Sequence, residues 1–229
     1  MSDGATVLLA GATGLVGRTV MEAAMGQPAV RLVALSRREA PMPRGARMEM
    51  LLADPAQWHD AVGTVAPDGV ICALGTTWNK AGRNEEAFRA VDFELVLHLA
   101  RASKDAGASH FVLVSSAGAD MASKTLYLRV KAEIEAAVTA LRFKRLDILR
   151  PGLLRGKRGS DRRTLERLAI MASPLSDHLL RGARRGYRSI GVPVVAAAAL
   201  QGVQEKAAGR FVHDNDAIVR LARRLKSAA

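Results

Sequence analysis

Val7-Leu8-Leu9-Ala10-Gly11-Ala12-Thr13-Gly14-Leu15-Val16-Gly17 decides the fold. Four apolar residues form a strand, a glycine-rich turn follows, and a helix opens near Leu15. Glycines let the backbone turn sharply and let a pyrophosphate come close. The helix start adds unpaired N–H groups and a partial positive charge. A strand, a Gly loop and a helix in this order predict a cradle for a dinucleotide phosphate, built from Gly11, Ala12, Thr13, Gly14, Leu15, Val16 and Gly17. The spacing is G-x-x-G-x-x-G rather than the commoner G-x-G-x-x-G.

Working outward, short apolar segments recur near 5–10, 31–36, 47–52, 69–74, 110–115 and 146–150. Helical patterns separate them near 15–26, 56–62, 84–106 and 123–142. Strands without polar alternation belong to a parallel sheet covered on both faces. The alternation predicts an α/β fold, a Rossmann-like doubly wound parallel sheet with a small C-terminal cap. Phe88, Val91, Leu95, Leu99 and Ala102 recur at helical spacing and read as core. After Pro151 come Gly/Arg-rich loops, a helical segment near 164–172, an apolar helix at 194–206, a strand at 210–213 and a last helix at 215–226. This tail is expected to cap the sheet's C-terminal edge, and the apolar residues at 192–203 to pack internally.

The chain has 229 residues, 49% of them hydrophobic. That suits one domain, 1–229, with 152–190 inserted as a cap on the substrate side. Its single cysteine, Cys72, lies in an apolar run and reads as a buried structural thiol. It excludes an internal disulfide framework and suits a reducing compartment. With no signal-type segment and no apolar run of membrane-spanning length, the expected location is cytoplasmic. The net charge is +12. Residues 142–188 hold fourteen Arg or Lys against four Asp or Glu. This stretch reads as a solvated arginine-rich surface or as a surface for an acidic partner. Few aromatics and no nucleic-acid module accompany it, so no nucleic-acid partner is expected. No membrane partner and no metal are expected either. The chain reads as a monomer or homodimer.

The second strand ends in Ser36-Arg37-Arg38. An acid there would hold the ribose hydroxyls of NAD and repel a 2′-phosphate; paired guanidiniums bind the phosphate. The expected cofactor is therefore NADP (NADPH). Asp54 stands where an acid meets the adenine edge or caps the helix that follows. The strand His110-Phe111-Val112-Leu113-Val114 ends at Ser115-Ser116, and Tyr127 and Lys131 follow four apart on one helix face. An ammonium beside a phenol favours the phenolate. A phenol so tuned passes a proton to or from a substrate oxygen. Tyr127 is the candidate acid/base and Lys131 its modifier. Ser116 is the candidate oxygen-positioning donor, with Ser115 holding the turn or touching cofactor.

These motifs, with Cys72-Ala73-Leu74-Gly75-Thr76-Thr77 and Arg150-Pro151-Gly152-Leu153-Leu154, resemble the short-chain dehydrogenase/reductases of the atypical or extended kind. Within them they are similar to the Tat-interacting protein family of oxidoreductases and its bacterial relatives, over roughly residues 5–200. The resemblance implies a Rossmann-like fold binding NADPH, with the adenine ribose phosphate near Arg37 and Arg38. It implies Leu74, Gly75 and Thr76 beside the cofactor and Lys131 on the nicotinamide ribose. It also implies Pro151 and Leu154 toward the nicotinamide end, and a further contact from Arg162. Two departures stand out. Extended members often carry Asn where this chain has Asp92, and the tail after Pro151 is short for gripping a sugar nucleotide. The implied function is NADPH-dependent oxidation or reduction of a small carbonyl or alcohol substrate through a Ser-Tyr-Lys site. The alternative is an NADPH-binding regulatory or scaffold protein, with a partner at 142–188.

Overall fold

A computed structural model describes residues 4–156 and 188–225. Strands β1 (Ala5–Ala10), β2 (Val30–Ser36), β3 (Glu49–Leu52), β4 (Gly69–Cys72), β5 (His110–Val114) and β6 (Arg145–Leu149) lie close to the expected segments. Two short strands, β7 (Leu154–Arg155) and β8 (Ile190–Gly191), pair with each other, and β9 (Gly209–His213) follows. The main sheet is parallel throughout, in the order β3-β2-β1-β4-β5-β6-β9.

Helices α1 (Leu15–Ala24), α6 (Val192–Gly202) and α7 (Asn215–Ala222) cover one face; α2 (Trp58–Val65), α4 (Leu95–Asp105) and α5 (Leu126–Ala140) cover the other. Strands β1, β2, β4, β5 and β6 therefore each feed two cores. In β1, Val7 and Leu9 enter the α1/α6 layer, while Leu8 and Ala10 enter the α2/α4 layer. This two-sided burial is why the strands read as unbroken apolar runs.

Two expectations change here. The tail is more than a cap: β9 is the sheet's seventh strand, and α6 and α7 complete one of its layers. Val192, Val195, Leu200 and Val203 are buried there, as internal packing requires. The 84–106 helix is divided. α3 (Glu85–Arg89) runs into a π-helical turn, Ala90–Glu94, before α4 begins. That extra residue per turn breaks the stripe. Phe88, Leu99 and Ala102 are buried, whereas Val91 and Leu95 turn out into a cleft.

β6 also holds charge that an apolar reading passes over. Arg145 and Asp147 are buried and joined by two hydrogen bonds of 2.6 and 2.9 Å. His213 Nε2 lies 2.7 Å from Asp147 Oδ1, and the Arg145 guanidinium sits 4.2 Å over the Phe211 ring. These contacts tie edge strand β9 to β6. Arg145 therefore does not belong to a solvated basic surface. No described helix is long and apolar enough to cross a membrane.

β1 is the switch point of the winding: β2 and β3 lie on one side, β4 to β6 on the other. In such sheets ligands sit beyond the strand ends at this crevice. Its closeness depends on glycine. A Cβ on Gly11 would stand 2.4 Å from Ala73 O, and one on Gly17 2.2 Å from Gly11 O; Gly11 also has φ +94°. Gly14 differs, its nearest atom being Gly11 O at 3.2 Å. Gly17→Ala is expected to cost about 1–3 kcal/mol in urea unfolding, and Gly14→Ala well under half as much. Equal losses would contradict this division of roles.

Candidate functional site

The glycine loop opens onto a cleft beyond β1 and β4. Gly11, Ala12, Thr13 and Gly14 form its floor, with Leu35, Ser36 and Arg37 on one side. Ala73, Leu74 and Gly75 bound the other side, and Trp58, Val91 and Leu95 add an apolar wall. Gly14 is the N-cap of α1 and brings no side-chain cap, and the first turn has no acidic residue. The helix start is thus left for an anion. Leu15 and the buried Val16 and Gly17 belong to that first turn. A loop that any Cβ on Gly11 or Gly17 would fill, next to an uncapped helix start, fits the pyrophosphate of a dinucleotide.

At the end of β2, the buried Ser36 accepts from the Arg38 N–H at 3.4 Å and donates to Arg38 O at 2.6 Å. This turn leaves Arg37 and Arg38 exposed, and neither has an ion-pair partner among the described residues. Asp54 is exposed at the N-cap of the turn Pro55–Gln57, where its N–H donates to Gln57 Oε1 at 3.4 Å. The cap reading is the one its contacts match. Trp58, four residues on, reaches the cleft instead, pinned by Nε1 donating to Ala53 O at 3.1 Å.

The second half of the site lies across Gly75. A Cβ there would stand 3.4 Å from Asp92 Oδ1 and 3.8 Å from Lys131 Nζ. Lys131 Nζ and Asp92 Oδ1 are 2.8 Å apart, with side chains 5% and 1% exposed. The contact is a charge pair off the angle of a hydrogen bond, so Oδ1 has no aligned donor. Asp92 Oδ2 accepts from Thr76 N at 2.7 Å. Burial alone pushes the Lys131 pKa down. The Asp92 carboxylate, with Tyr127 adding, overrides it and holds the ammonium above its ordinary range. Lys131 Nζ is 5.9 Å from the centre of the half-buried Tyr127 ring, which packs at 5.9 Å on Phe88.

The two serines separate. Ser115 is buried, its Oγ donating to Glu135 Oε1 at 2.5 Å; Arg150 donates to both oxygens of Glu135 from the other side. Ser115 is committed to holding β5 and α5 together. Ser116 is half-buried, and its Oγ makes one long contact, 3.2 Å to Ala117 O. Arg150, like Arg145, is thereby taken from the basic stretch into an internal pair.

Pro151 is buried, and Leu154 in β7 packs on the α1-side core. The chain then passes near the start of α1: a Cβ on Gly156 would lie 3.4 Å from Leu15 Cδ1. Buried Asn215 accepts from Gly152 N at 2.8 Å and donates to Arg188 O at 2.6 Å. With β7–β8 pairing, this closes the two ends of the 152–190 insertion together. Arg162 and most of the basic stretch lie outside the described residues. The loop residues Asn79 and Lys80 are exposed. Sequence reading missed Trp58, Val91 and Leu95 as cleft wall and Glu135 as the serine's anchor; only helix register would have separated them from core.

A family model described as NAD(P)H-binding matches residues 11–172. The chain belongs to the NAD(P)H-binding family. Among its relatives is the protein named fmp52, mitochondrial, of Emericella nidulans, 39% identical over 165 residues (69% of this chain, 70% of that protein). The Aspergillus fumigatus protein of that name is 35% identical over 203 residues, 86% of each chain. The Saccharomyces cerevisiae one is 37% identical over 160 residues, 69% of each. In fold the chain is similar to the Helicobacter pylori ADP-L-glycero-D-manno-heptose-6-epimerase, at TM-score 0.68 and 15% identity, covering 98% of this chain and 83% of that one. MoeE5 in complex with UDP-glucose and NAD also has TM-score 0.68, at 16% identity over 96% of this chain. A nicotinamide dinucleotide is thus the ligand class of this Rossmann-like domain. The expected cytoplasmic location is overturned, because the fungal relatives are named mitochondrial proteins.

Burial pushes the Cys72 thiol up to about 12. The folded state therefore keeps it protonated, and this contribution to stability is lost as pH rises from the free-thiol range toward that value. Iodoacetamide at pH 8 is expected to alkylate Cys72 no faster than the chain unfolds. Rapid modification of native protein would show the thiol to be reachable.

Proposed function

We propose that the chain is an NADPH-dependent oxidoreductase of the short-chain dehydrogenase/reductase type, acting on a small carbonyl or alcohol substrate. The observation that carries this reading is Gly75. It borders the dinucleotide cleft and also lies against the Asp92–Lys131 pair, so cofactor floor and Tyr/Lys helix share one wall. The bound cofactor would supply a hydride as NADPH when a carbonyl is reduced and accept one as NADP+ when an alcohol is oxidised. In this reading Tyr127 gives a proton to the carbonyl oxygen, or takes one from the alcohol. Lys131 stabilises the phenolate left behind and anchors the nicotinamide ribose. Ser116, the serine with its hydroxyl free of the Glu135 network, donates a hydrogen bond that fixes the oxygen. The motif order that resembles the Tat-interacting protein family supports the same assignment.

Arg37 and Arg38, exposed and unpaired at the end of β2, support NADP over NAD. Leu74, Gly75 and Thr76 flank the cofactor, and Pro151 and Leu154 hold the chain on the far side of the crevice.

Two measurements test this. Replacing Arg37 and Arg38 with Ala should weaken NADPH by about 10-fold or more while leaving NADH within about 3-fold, because each lost charge-assisted bond is worth roughly 1.5–3 kcal/mol. Equal losses in a fluorescence titration would remove the 2′-phosphate from that turn. In a screen of small aldehydes and ketones for NADPH consumption, Tyr127→Phe should lower turnover by about 100-fold or more. Cofactor binding with no turnover in either protein would favour a regulatory role.

A further inference from the structure

The loop after β4 carries an exposed indole close to the candidate acid/base. Trp78 follows Gly75 by three residues and is 41% exposed. Its loop is well fastened. Thr76 N donates to Asp92 Oδ2 at 2.7 Å and Lys80 N to Thr77 Oγ1 at 3.2 Å. Ala81 N donates to Thr77 O and Arg83 N to Trp78 O, each at 2.9 Å. Arg83 closes that last turn in the left-handed region, at φ +58°. Asn84 then caps α3, its Oδ1 accepting from Ala87 N at 2.9 Å. A fixed backbone presents its side chain already placed, which lowers the ordering cost of binding a ligand.

Rings join the indole to Tyr127. Trp78 and Phe88 meet edge to face with centroids 6.1 Å apart, and Phe88 lies 5.9 Å from Tyr127. Phe88 is fully buried, so it fixes the two rings that pack on it. Trp78 spends part of its surface on Phe88 and leaves the rest open, two ring contacts from the half-buried phenol. A second apolar side chain comes from the loop after β5, the neighbouring strand. Met121 there is 60% exposed. Asp120 N donates to Leu128 O at 3.3 Å, which brings this loop to the first turn of α5, where Tyr127 lies. Single exposed apolar residues are ordinary. Two of them on adjacent loops, both beside the candidate proton donor, form a recognition surface. The N–H groups of Lys80, Ala81 and Arg83 are already used, so the wall offers ring surface rather than backbone hydrogen bonds.

We propose that Trp78 is a specificity-determining residue of this site. Its indole, with Met121 nearby, selects carbonyl or alcohol compounds whose reacting carbon carries a flat aromatic ring. Saturated or polyhydroxylated compounds of similar size are disfavoured. This rests on the Tyr127 reading above. Aromatic rings meet an indole in offset or edge-to-face geometry, and a thioether sulfur favours a ring edge. A saturated ring of the same carbon number buries similar area but lacks the π face. Trp78→Leu keeps apolar area and removes the indole, whereas Trp78→Phe keeps a ring.

Binding is read by NMR on the folded, full-length chain with NADP+ present. Benzyl alcohol and cyclohexylmethanol, equal in carbon number, are the probes. The chain has two tryptophans, Trp58 and Trp78, and two tyrosines, Tyr127 and Tyr187. A ¹⁵Nε1-tryptophan label reports Trp78, with the Trp58 signal assigned by its loss in Trp58→Phe. Where Trp78 is replaced, a ¹³Cζ-tyrosine label in a Tyr187→Phe background reports Tyr127 instead. Benzyl alcohol is expected to shift the Trp78 signal saturably and to bind about 5-fold tighter or more than cyclohexylmethanol. That preference should fall to within about 2-fold in Trp78→Leu and return in Trp78→Phe. No shift of the Trp78 signal by benzyl alcohol, equal affinities in the wild type, or an undiminished preference in Trp78→Leu overturns the proposal. The Tyr127 reading fails separately. Benzaldehyde and cyclohexanecarbaldehyde reduced as fast by Tyr127→Phe as by the wild type would remove the phenol from the chemistry, with the binding preference for benzyl alcohol intact.

Discussion

Everything in this molecule is arranged around one close approach, the backbone of Gly11 against the end of β4 and the start of α1. Gly11 lies where its Cβ would overlap Ala73 O, and Gly17 where its Cβ would overlap Gly11 O. Side chains at either place would push α1 off the sheet or spread β1 from β4. Because they are absent, the uncapped first turn of α1 comes to the mouth of the crevice at the switch point. The crevice proposed to take the phosphates is therefore a consequence of packing, not an addition to it.

From that crevice the remaining parts follow by adjacency. β4 leads into Leu74, Gly75 and Thr76, and Gly75 leaves room for the Asp92–Lys131 pair beside the cleft. The pair is nearly dry, so its electrostatics are strong, and each charge depends on the other. A second pair, buried Glu135 with half-buried Arg150, engages Ser115 and leaves the hydroxyl of Ser116 less engaged. A third, Arg145 with Asp147 and His213, fastens the last strand to the sheet. Charges that look scattered along the chain thus serve three separate internal jobs. The basic character of 142–188 is correspondingly reduced at Arg145 and Arg150.

Much of this was legible in the linear sequence. Runs such as Val7-Leu8-Leu9-Ala10 and Phe111-Val112-Leu113-Val114 announce strands buried on both faces, because two covering layers leave no polar side. The glycine spacing announces the turn, and Tyr127 with Lys131 announces a shared helix face. The apolar run at 192–203 points to internal packing, and Val192, Val195, Leu200 and Val203 are buried. Less legible was anything that depends on exact helical register or on charge neighbours distant in sequence. Val91 and Leu95 fit a core stripe until the π turn rotates them into the cleft. Seen in sequence, Glu135 is one more helix acid; in space it anchors Ser115 and Arg150.

The sequence by itself determined the parallel α/β sheet, the place of the glycine-rich turn and the sharing of one helix face by Tyr127 and Lys131. These follow from local periodicity, from glycine's missing side chain and from fixed spacing on one helix. Only the tertiary structure decided which serine is engaged, where Asp92 points and that the tail supplies the seventh strand. Those outcomes depend on which groups meet when distant segments exclude water together. A buried charge selects its partner by position in space, and that position is set by packing rather than by neighbours along the chain.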